Sequence, residues 1–253
     1  MKKVLIIGFD GRMGQAIFKK ISNVEGFEVT EGHVFEQNAP ALREQYPQIN
    51  FFSSINQSKN CDIVVDFSHH SLTNGIIDFC VENKKALVIG TTGLSEELEK
   101  KLVESSKIIP IFKSSNMSAG VFVMLNLVKQ ASKMLDGWDV EIIEKHHKGK
   151  KDAPSGTAFM IAQEVTDIRK DAELVFGRNP ASPMRSAQEI GIHAIRGGGA
   201  AGEHEIEFYN GSEVIKITHE AYSRESFVDG AVKATVFLAT KEPGYYTMKN
   251  LFD

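Results

Sequence analysis

The chain has 253 residues, of which 42% are hydrophobic and 25% charged, a composition typical of a globular protein with one large or two modest domains. Its 29 basic and 33 acidic residues give a net charge of −4, which argues against a partner such as a nucleic acid or an anionic membrane. No apolar run approaches the roughly 18 residues of a membrane span, and the run after Lys3 is too short for a signal peptide. We therefore expect a cytoplasmic protein.

Short apolar runs alternate with helical patterns in the first half of the chain. Strands are predicted at residues 4–7, 27–35, 63–65, 86–89 and 108–112, and the spacing of apolar residues predicts a helix over 13–24. Strands that are apolar throughout and alternate with helices indicate a parallel sheet covered on both faces. The first domain, residues 1–117, is therefore predicted to be an α/β domain with a Rossmann-type, doubly wound parallel sheet.

The pattern changes after residue 117. A helix is predicted over 118–134, and residues 203–209 and 213–219 alternate with the period of two that is typical of strands with one solvated face. We predict a second, α+β domain at 118–223 with a mixed or antiparallel sheet. Another helix is predicted over 227–240, and residues 224–253 are expected to return to the first domain.

A glycine-rich turn follows the first predicted strand and precedes the first predicted helix. Such a turn lets the backbone approach a pyrophosphate, which the free N–H groups of the helix N-terminus then bind. Three glycines in seven residues also fit an ordinary turn, but the position between strand and helix favours a dinucleotide site. The predicted cofactor-binding residues here are Gly8, Phe9, Asp10, Gly11, Arg12, Met13 and Gly14.

Glu36 lies at the predicted end of the second strand, close to the spacing of about 20 residues expected for an acid that binds the ribose. A solvated loop glutamate is the alternative. No lysine or arginine follows Glu36 directly, which favours NADH over NADPH. Loops after two later strands are expected to line the same site, because ligands of such sheets bind at the carboxyl ends of the strands; they contain Gly90, Thr91, Thr92, Ser114, Ser115, Asn116 and Met117.

Residues 144–158 combine two histidines and four lysines with the start of a predicted helix. Lysines together with the N–H groups of Ser155, Gly156 and Thr157 suit a small carboxylate, and a histidine beside them exchanges a proton near neutral pH. Pro154 is predicted at the first helical position, with Asp152 or Ser155 as the cap. A solvated basic loop is the alternative.

No metal site is expected. Adjacent histidines on an extended segment point to opposite sides, and no acidic or histidine companion has the spacing of a metal ligand. Cys61 and Cys80 likewise lack such spacing and are predicted to be buried or half-buried free thiols.

The string E-x-H-H-x-x-K-x-D-A-P-S-G-T at 144–157 resembles the signature of the dihydrodipicolinate reductase family. Further segments resemble family motifs in the same order, so that the resemblance covers nearly the whole chain. They are the glycine-rich turn at 8–14, Asp66-Phe67-Ser68, the GTTG at 90–93, Ser115-Asn116-Met117-Ser118 and the glycine-rich run from Arg196 to His204.

The resemblance implies reduction of the cyclic dicarboxylate 4-hydroxy-tetrahydrodipicolinate to tetrahydrodipicolinate, with NADH or NADPH as cofactor, in the diaminopimelate route to lysine. It implies that His146 is the proton donor or acceptor and Lys150 the second catalytic donor. It further implies that His147, Gly156 and Thr157 bind substrate, and that the protein is a homotetramer with the sheet of the second domain at its core. The alternatives are another dehydrogenase of amino or keto acids, or a regulator that senses NADH without turnover.

Overall fold

Two β-sheets organise the chain, one in each of two structural units, in a computed structural model that describes residues 1–252. The first unit contains Met1–Ser118 and the segment from Phe227 onward, and the second contains Ala119–Ser226. The predicted boundaries after residues 117 and 223 lie close to these, after 118 and 226. The functional roles assigned to the two units remain predictions.

The elements are given in chain order. They are β1 (Lys2–Ile7), α1 (Arg12–Ile21), β2 (Phe27–His33), α2 (Ala39–Gln45), β3 (Asn50–Phe52), β4 (Ile63–Asp66), α3 (His70–Glu82), β5 (Ala86–Ile89), α4 (Glu96–Ser105), β6 (Pro110–Lys113), α5 (Ala119–Met134), β7 (Asp139–His146), α6 (Gly156–Thr166), β8 (Glu173–Phe176), β9 (Glu189–Arg196), β10 (Gly202–Tyr209), β11 (Val214–Ala221), α7 (Glu225–Leu238) and β12 (Gly244–Tyr246).

The first sheet has seven parallel strands in the order β12-β6-β5-β4-β1-β2-β3. Its central strands β4 and β5 are buried at every position, which explains why they read as unbroken apolar runs in the sequence. Cys61 and Cys80 lie in this core as free thiols, as predicted. The parallel, doubly wound architecture predicted for the first domain is confirmed.

The last helix and strand belong to the first unit. A Cβ atom at Gly230 would lie 1.6 Å from the carbonyl oxygen of Met117, so only glycine lets α7 approach the loop after β6 so closely. Lys20 of α1 forms an ion pair with Asp229 of α7. Strand β12 extends the sheet by pairing with β6.

The second sheet has five strands in the order β11-β10-β7-β9-β8. Strand β10 runs antiparallel to β7 and β11, whereas β9 runs parallel to β7 and β8, so the predicted mixed sheet is confirmed. One face packs against α5 and α6 through buried residues that include Val128, Val140, Ile142, Ile161, Ile192 and Phe208. Alternate residues of β7 therefore point into this core, and Glu144 continues that face of the strand.

No helix within residues 1–252 is both long enough and apolar enough to cross a membrane.

Candidate functional site

The glycine-rich turn connects β1 to α1 at the carboxyl edge of the first sheet. Gly8 adopts a φ of +74°, and the Gly11 N–H donates to the Gly8 carbonyl oxygen over 3.0 Å. A Cβ atom at Gly14 would lie 2.3 Å from the same oxygen. Helix α1 can therefore approach the end of β1 this closely only because residue 14 is glycine. Gly11 caps α1 without a side-chain hydrogen bond, which leaves N–H groups of the first turn for an anion.

A cavity of about 250 Å³ opens beside this turn. Its lining combines the glycine turn with the carboxyl ends of β2 and β4 and with the start of α3, the place where ligands of parallel sheets bind. The lining residues are Gly8, Asp10, Gly11, His33, Val34, Phe35, Phe67, Ser68, His69 and Leu72. Of the predicted cofactor residues, Gly8, Asp10 and Gly11 are therefore on the cavity wall, and the other seven lining residues were not predicted.

Two predicted cofactor residues have side chains that lie in the core instead. The Phe9 ring is fully buried and lies 4.9 Å from the Phe51 ring and 5.1 Å from the Phe18 ring, centroid to centroid. Met117 is also buried. Large apolar side chains at the sheet edge are more stable in the core than in a polar turn. The predicted contribution of Phe9 and Met117 to cofactor binding therefore rests on their backbone atoms.

The sequence predicted Glu36 at the end of the second strand, and this prediction is wrong. Strand β2 ends at His33, and Glu36 is an exposed residue that begins a short 3-10 turn, Glu36–Asn38. The Asp10 carboxylate accepts hydrogen bonds from the Phe35 N–H at 3.2 Å and from Asn38 Nδ2 at 2.7 Å. Asp10 thereby connects the two ends of the Glu36 turn to the glycine-rich turn.

Asp66, at the end of β4, is a fully buried residue that the sequence did not single out as part of the site. Its carboxylate accepts hydrogen bonds from the Ser68 N–H at 3.0 Å and from the hydroxyls of Ser68 and Thr91 at 2.5 and 2.9 Å. Burial raises the pKa of Asp66, and these three donors oppose the rise. Thr91 is a predicted cofactor residue, and through its hydrogen bond to Asp66 its hydroxyl connects the loop after β5 to the end of β4.

The remaining predicted cofactor residues are exposed or half-buried. Arg12 and Met13 begin α1, and the others lie on loops. Exposed are Arg12, Thr92 and Ser115, and half-buried are Met13, Gly90, Ser114 and Asn116. The turn after β6 is held by its own side chains, because the Ser114 hydroxyl donates to the Asn116 carbonyl oxygen and Asn116 Oδ1 accepts from the Ser118 N–H.

A second cluster of functional side chains lies in the other unit, where β7 ends. His146 is the last residue of β7, and Lys150 follows on a loop in which its ammonium donates to Asp152 Oδ2 over 2.8 Å. The glycine-rich run after β9 holds this loop, because the Ala200 carbonyl oxygen accepts from the His147 N–H at 2.9 Å. This contact gives the run at 197–202 a structural task that the sequence did not reveal.

Glu144 and Arg196 complete this cluster, and the sequence analysis assigned a role to neither. Glu144 is fully buried, and both of its carboxylate oxygens accept from the Arg196 guanidinium, at 2.6 and 2.9 Å. Glu144 Oε2 also lies 2.5 Å from His146 Nδ1 in a hydrogen bond. The available signal was the two-residue spacing of Glu144 and His146, which places both side chains on one face of a strand.

Ser155, which the sequence predicts to bind substrate, begins α6 as its N-cap residue. Its side chain caps α6 by accepting from the Ala158 N–H, so the helix begins at Gly156, and Pro154 precedes the cap and is not the first helical residue. The Ser155 N–H donates to Glu144 Oε1 at 3.1 Å, and its hydroxyl lies 2.9 Å from His204 Nε2. Ser155 is buried and has a structural task as the cap, and its predicted role in substrate binding stays a prediction. Gly156 and Thr157 form the first turn of the helix.

Burial and charge set the protonation states of this cluster. Burial alone would raise the pKa of Glu144, but hydrogen bonds from Arg196 and His146 outweigh it, so the pKa is lowered and the carboxylate is charged at neutral pH. Burial lowers the pKa of His146, against the opposing effect of Glu144. Burial and the neighbouring His146 lower the pKa of His204 to about 4, so His204 is neutral near pH 7.

Within residues 1–252 no group of three or more histidine, cysteine or acidic side chains is placed to hold a metal ion. The functional features are a dinucleotide-type cavity in one unit and, in the other, a histidine–carboxylate pair beside a lysine. These features together define a two-domain nucleotide-dependent oxidoreductase.

Comparisons with known proteins agree with this class. Residues 2–117 match the family model for the N-terminus of dihydrodipicolinate reductase, and residues 120–252 match the model for its C-terminus. A 4-hydroxy-tetrahydrodipicolinate reductase from Caldanaerobacter subterraneus subsp. tengcongensis is 44% identical over 99% of this chain and 98% of its own. One from Clostridium novyi is 39% identical over 99% and 98%.

Solved structures share the fold. A dipicolinate-bound dihydrodipicolinate reductase from Paenisporosarcina sp. TG-14 superimposes with a TM-score of 0.79 at 23% identity, covering 98% of this chain and 97% of the other. A scyllo-inositol dehydrogenase from Lactobacillus casei, with bound NAD(H), gives a TM-score of 0.59 at 13% identity, covering 99% and 93%.

The chain belongs to the dihydrodipicolinate reductase family, so the predicted family and oxidoreductase class are confirmed. Family membership also supports a nicotinamide cofactor.

Proposed function

We propose that the protein reduces 4-hydroxy-tetrahydrodipicolinate to tetrahydrodipicolinate in lysine biosynthesis. One substrate, one NAD(P)H and one proton give one product, one NAD(P)⁺ and one water. The observation that carries the proposal is the position of His146 at the end of β7 and of Lys150 on the loop that leads from β7 to α6, a set of groups suited to an anionic substrate.

The residues of the second unit have separate tasks in this reaction. His146 and Lys150 supply the proton that accompanies reduction, and their positive charge stabilises the dianionic ring as charge develops in the transition state. His147 and the first-turn residues Gly156 and Thr157 bind a substrate carboxylate at the positive end of the α6 dipole. The nicotinamide cofactor, when bound, supplies the hydride.

The first unit binds that cofactor. The glycine turn at 8–14 and the N-terminus of α1 hold the pyrophosphate, and the 250 Å³ cavity accepts the adenosine half between Phe35 and Leu72. We propose NADH as the preferred cofactor because Glu36 is exposed beside this cavity wall and is followed by Gln37 and Asn38, which carry no positive charge for a 2′-phosphate.

A spectrophotometric assay tests the reaction. Loss of the NADH absorbance is expected only when the substrate is generated in situ from pyruvate and aspartate semialdehyde. NADH binding without turnover would favour the sensor, and turnover with other amino or keto acids would favour another dehydrogenase. A kcat/KM for NADPH more than about tenfold above that for NADH would contradict the role of Glu36.

We also propose a homotetramer built through the second sheet. The face of that sheet opposite α5 and α6 carries exposed Ile195 beside ion pairs such as Lys145–Glu203, a mixture that suits an interface. Light scattering should give about 112 kDa, four times the 28.0 kDa of one chain, and a mass of one chain would contradict the proposal. We propose the cytoplasm as its location, in keeping with the free thiols.

A further inference from the structure

The Glu144 side chain contacts the proposed proton donor His146, the guanidinium of Arg196 and the residue before α6. We propose that Glu144 is a positioning residue for catalysis: it fixes the ring of His146 through Nδ1, so that Nε2 delivers the proton, and it sets the position of the substrate-binding turn. The inference rests on the proposed role of His146.

The geometry joins three segments that are distant in the sequence. Glu144 Oε2 bonds His146 Nδ1 on β7 at 2.5 Å, and both oxygens accept from Arg196 on β9. Glu144 Oε1 also accepts from the Ser155 N–H at 3.1 Å, directly before α6. A carboxylate with no exposed surface has no water to replace these donors, so each of them is held in one place.

The charge of Glu144 decides which nitrogen of His146 carries the proton in the neutral ring. An ionised carboxylate only accepts hydrogen bonds, so His146 Nδ1 must be the donor in their contact. In the neutral ring Nε2 is then the unprotonated nitrogen, and it is the one that gains and loses the catalytic proton. The His146 side chain keeps 11% of its surface exposed, whereas Glu144 keeps none.

Charged and titratable groups from every neighbouring segment act on His146. Glu144 favours the protonated ring, whereas Lys150 on the following loop and Arg196 on β9 disfavour it. His204 on β10 lies with its ring centroid 5.2 Å from that of His146 and is neutral, and Asp152 faces Lys150. Glu144 is thus the acidic group that hydrogen-bonds His146 directly, and its charge keeps the ring protonated to higher pH.

Two substitutions separate the effect of the Glu144 charge from that of its side-chain shape. Glu144→Gln keeps the shape and removes the charge. Glu144→Asp keeps the charge on a side chain that is one methylene shorter. Glu141→Gln is the matched control, because Glu141 lies on the same strand and also holds an arginine and a histidine, Arg185 and His193, on the opposite sheet face. NADH binding and thermal melting are measured for each variant.

We expect Glu144→Gln to lower kcat by about 10- to 100-fold, with a smaller change in KM. Because protonated His146 loses its carboxylate, the basic limb of the kcat/KM profile should move to lower pH by about one unit. Glu144→Asp should lower kcat with a smaller shift of the limb, and Glu141→Gln should change neither. A kcat within about twofold of the wild type, or a reduced kcat with an unmoved basic limb, would overturn the proposal.

The wild-type protein provides a second test, which does not depend on a folded Glu144 variant. In ¹⁵N-histidine NMR spectra above the pKa of His146, with the signal assigned from His146→Asn, the ring should be the Nδ1–H tautomer. The Nε2–H tautomer would overturn the inference. Absence of wild-type turnover would instead refute the proposed function, so the two failures are distinguishable.

Discussion

At the scale of single residues, the functional proposals depend on two side chains. We expect His146→Ala and Lys150→Ala each to lower kcat by about 10²–10⁴, because each removes a positioned proton donor. His193→Ala and Lys151→Ala are matched controls: His193 pairs with Glu141 on the other sheet face, and Lys151 is exposed. Steady-state kinetics with NADH check this, and near-normal kcat in the first two variants would contradict the assignment.

The lowered pKa of His146 predicts a pH dependence. A proton donor is active in its protonated form, so activity falls as the pH rises through its pKa. Since burial lowers that pKa below its ordinary value of 6.5, the basic limb of kcat/KM should lie below pH 6.5 in the free enzyme. A profile of kcat/KM between about pH 5 and 8 measures it, and a midpoint above the ordinary histidine value would contradict the prediction.

The chemical roles of single residues were predictable where the residues follow one another closely in the sequence. His146, Lys150 and the α6 start lie within 12 residues, and their types alone indicate anion binding and proton transfer. Arg196 and His204 were not predictable, because their proximity to Glu144 and Ser155 depends on the register of β9 and β10 against β7. Local sequence contains no information on which strands are neighbours.

At the scale of elements, Gly14 tests the contact between α1 and β1. A Cβ atom in Gly14→Ala would lie 2.3 Å from the Gly8 carbonyl oxygen and 2.7 Å from Phe9 Cα, so the turn must shift. We expect lower stability and weaker NADH binding, measured by denaturant unfolding and by fluorescence titration.

Gly75→Ala is the matched control for Gly14→Ala. Gly75 is an exposed helical glycine whose Cβ position has no atom within 4 Å, so alanine should stabilise α3 by about 0.5–1 kcal/mol. Equal effects of the two substitutions would show that the close approach at Gly14 is unimportant.

The second prediction at the scale of elements concerns the stability that the N-cap of α6 provides. Ser155→Ala removes the cap and the hydrogen bond to buried His204, so we expect the free energy of unfolding to fall by about 2 kcal/mol. Ser95→Ala at the exposed cap of α4 is the control and should cost about 1 kcal/mol or less. Chemical denaturation measures both, and equal losses would contradict the structural role of Ser155.

Most element types were predictable and several element ends were not. Unbroken apolar runs indicate β4 and β5 because both faces of the first sheet are covered. The sequence predicts that β2 continues to Phe35, because Val34 and Phe35 are also apolar. In the structure β2 ends at His33, and Phe35 is 70% exposed. Past that end, the Asp10 carboxylate accepts hydrogen bonds from both ends of the turn at Glu36, a tertiary contact that the local sequence does not reveal.

At the scale of the whole molecule, the two units differ in chain continuity. The second is one continuous segment with its own core, so residues 119–226 alone should unfold cooperatively. The first needs the segment from Phe227 onward, which supplies β12 and the buried face of α7. We expect a chain ending at residue 226 to lose NADH binding, measured by titration, and wild-type affinity in that chain would contradict the prediction.

The sequence by itself determined the fold class, the family, the glycine turn and the segment with His146 and Lys150, since periodicity and contiguous motifs are local properties. Tertiary structure decided which of these residues are exposed: it placed Phe9 and Met117 in the core and assigned Ser155 to the framework of α6. It also revealed Glu144 as the centre of the second cluster. A buried carboxylate is stable only with donors around it, and only folding brings those donors together.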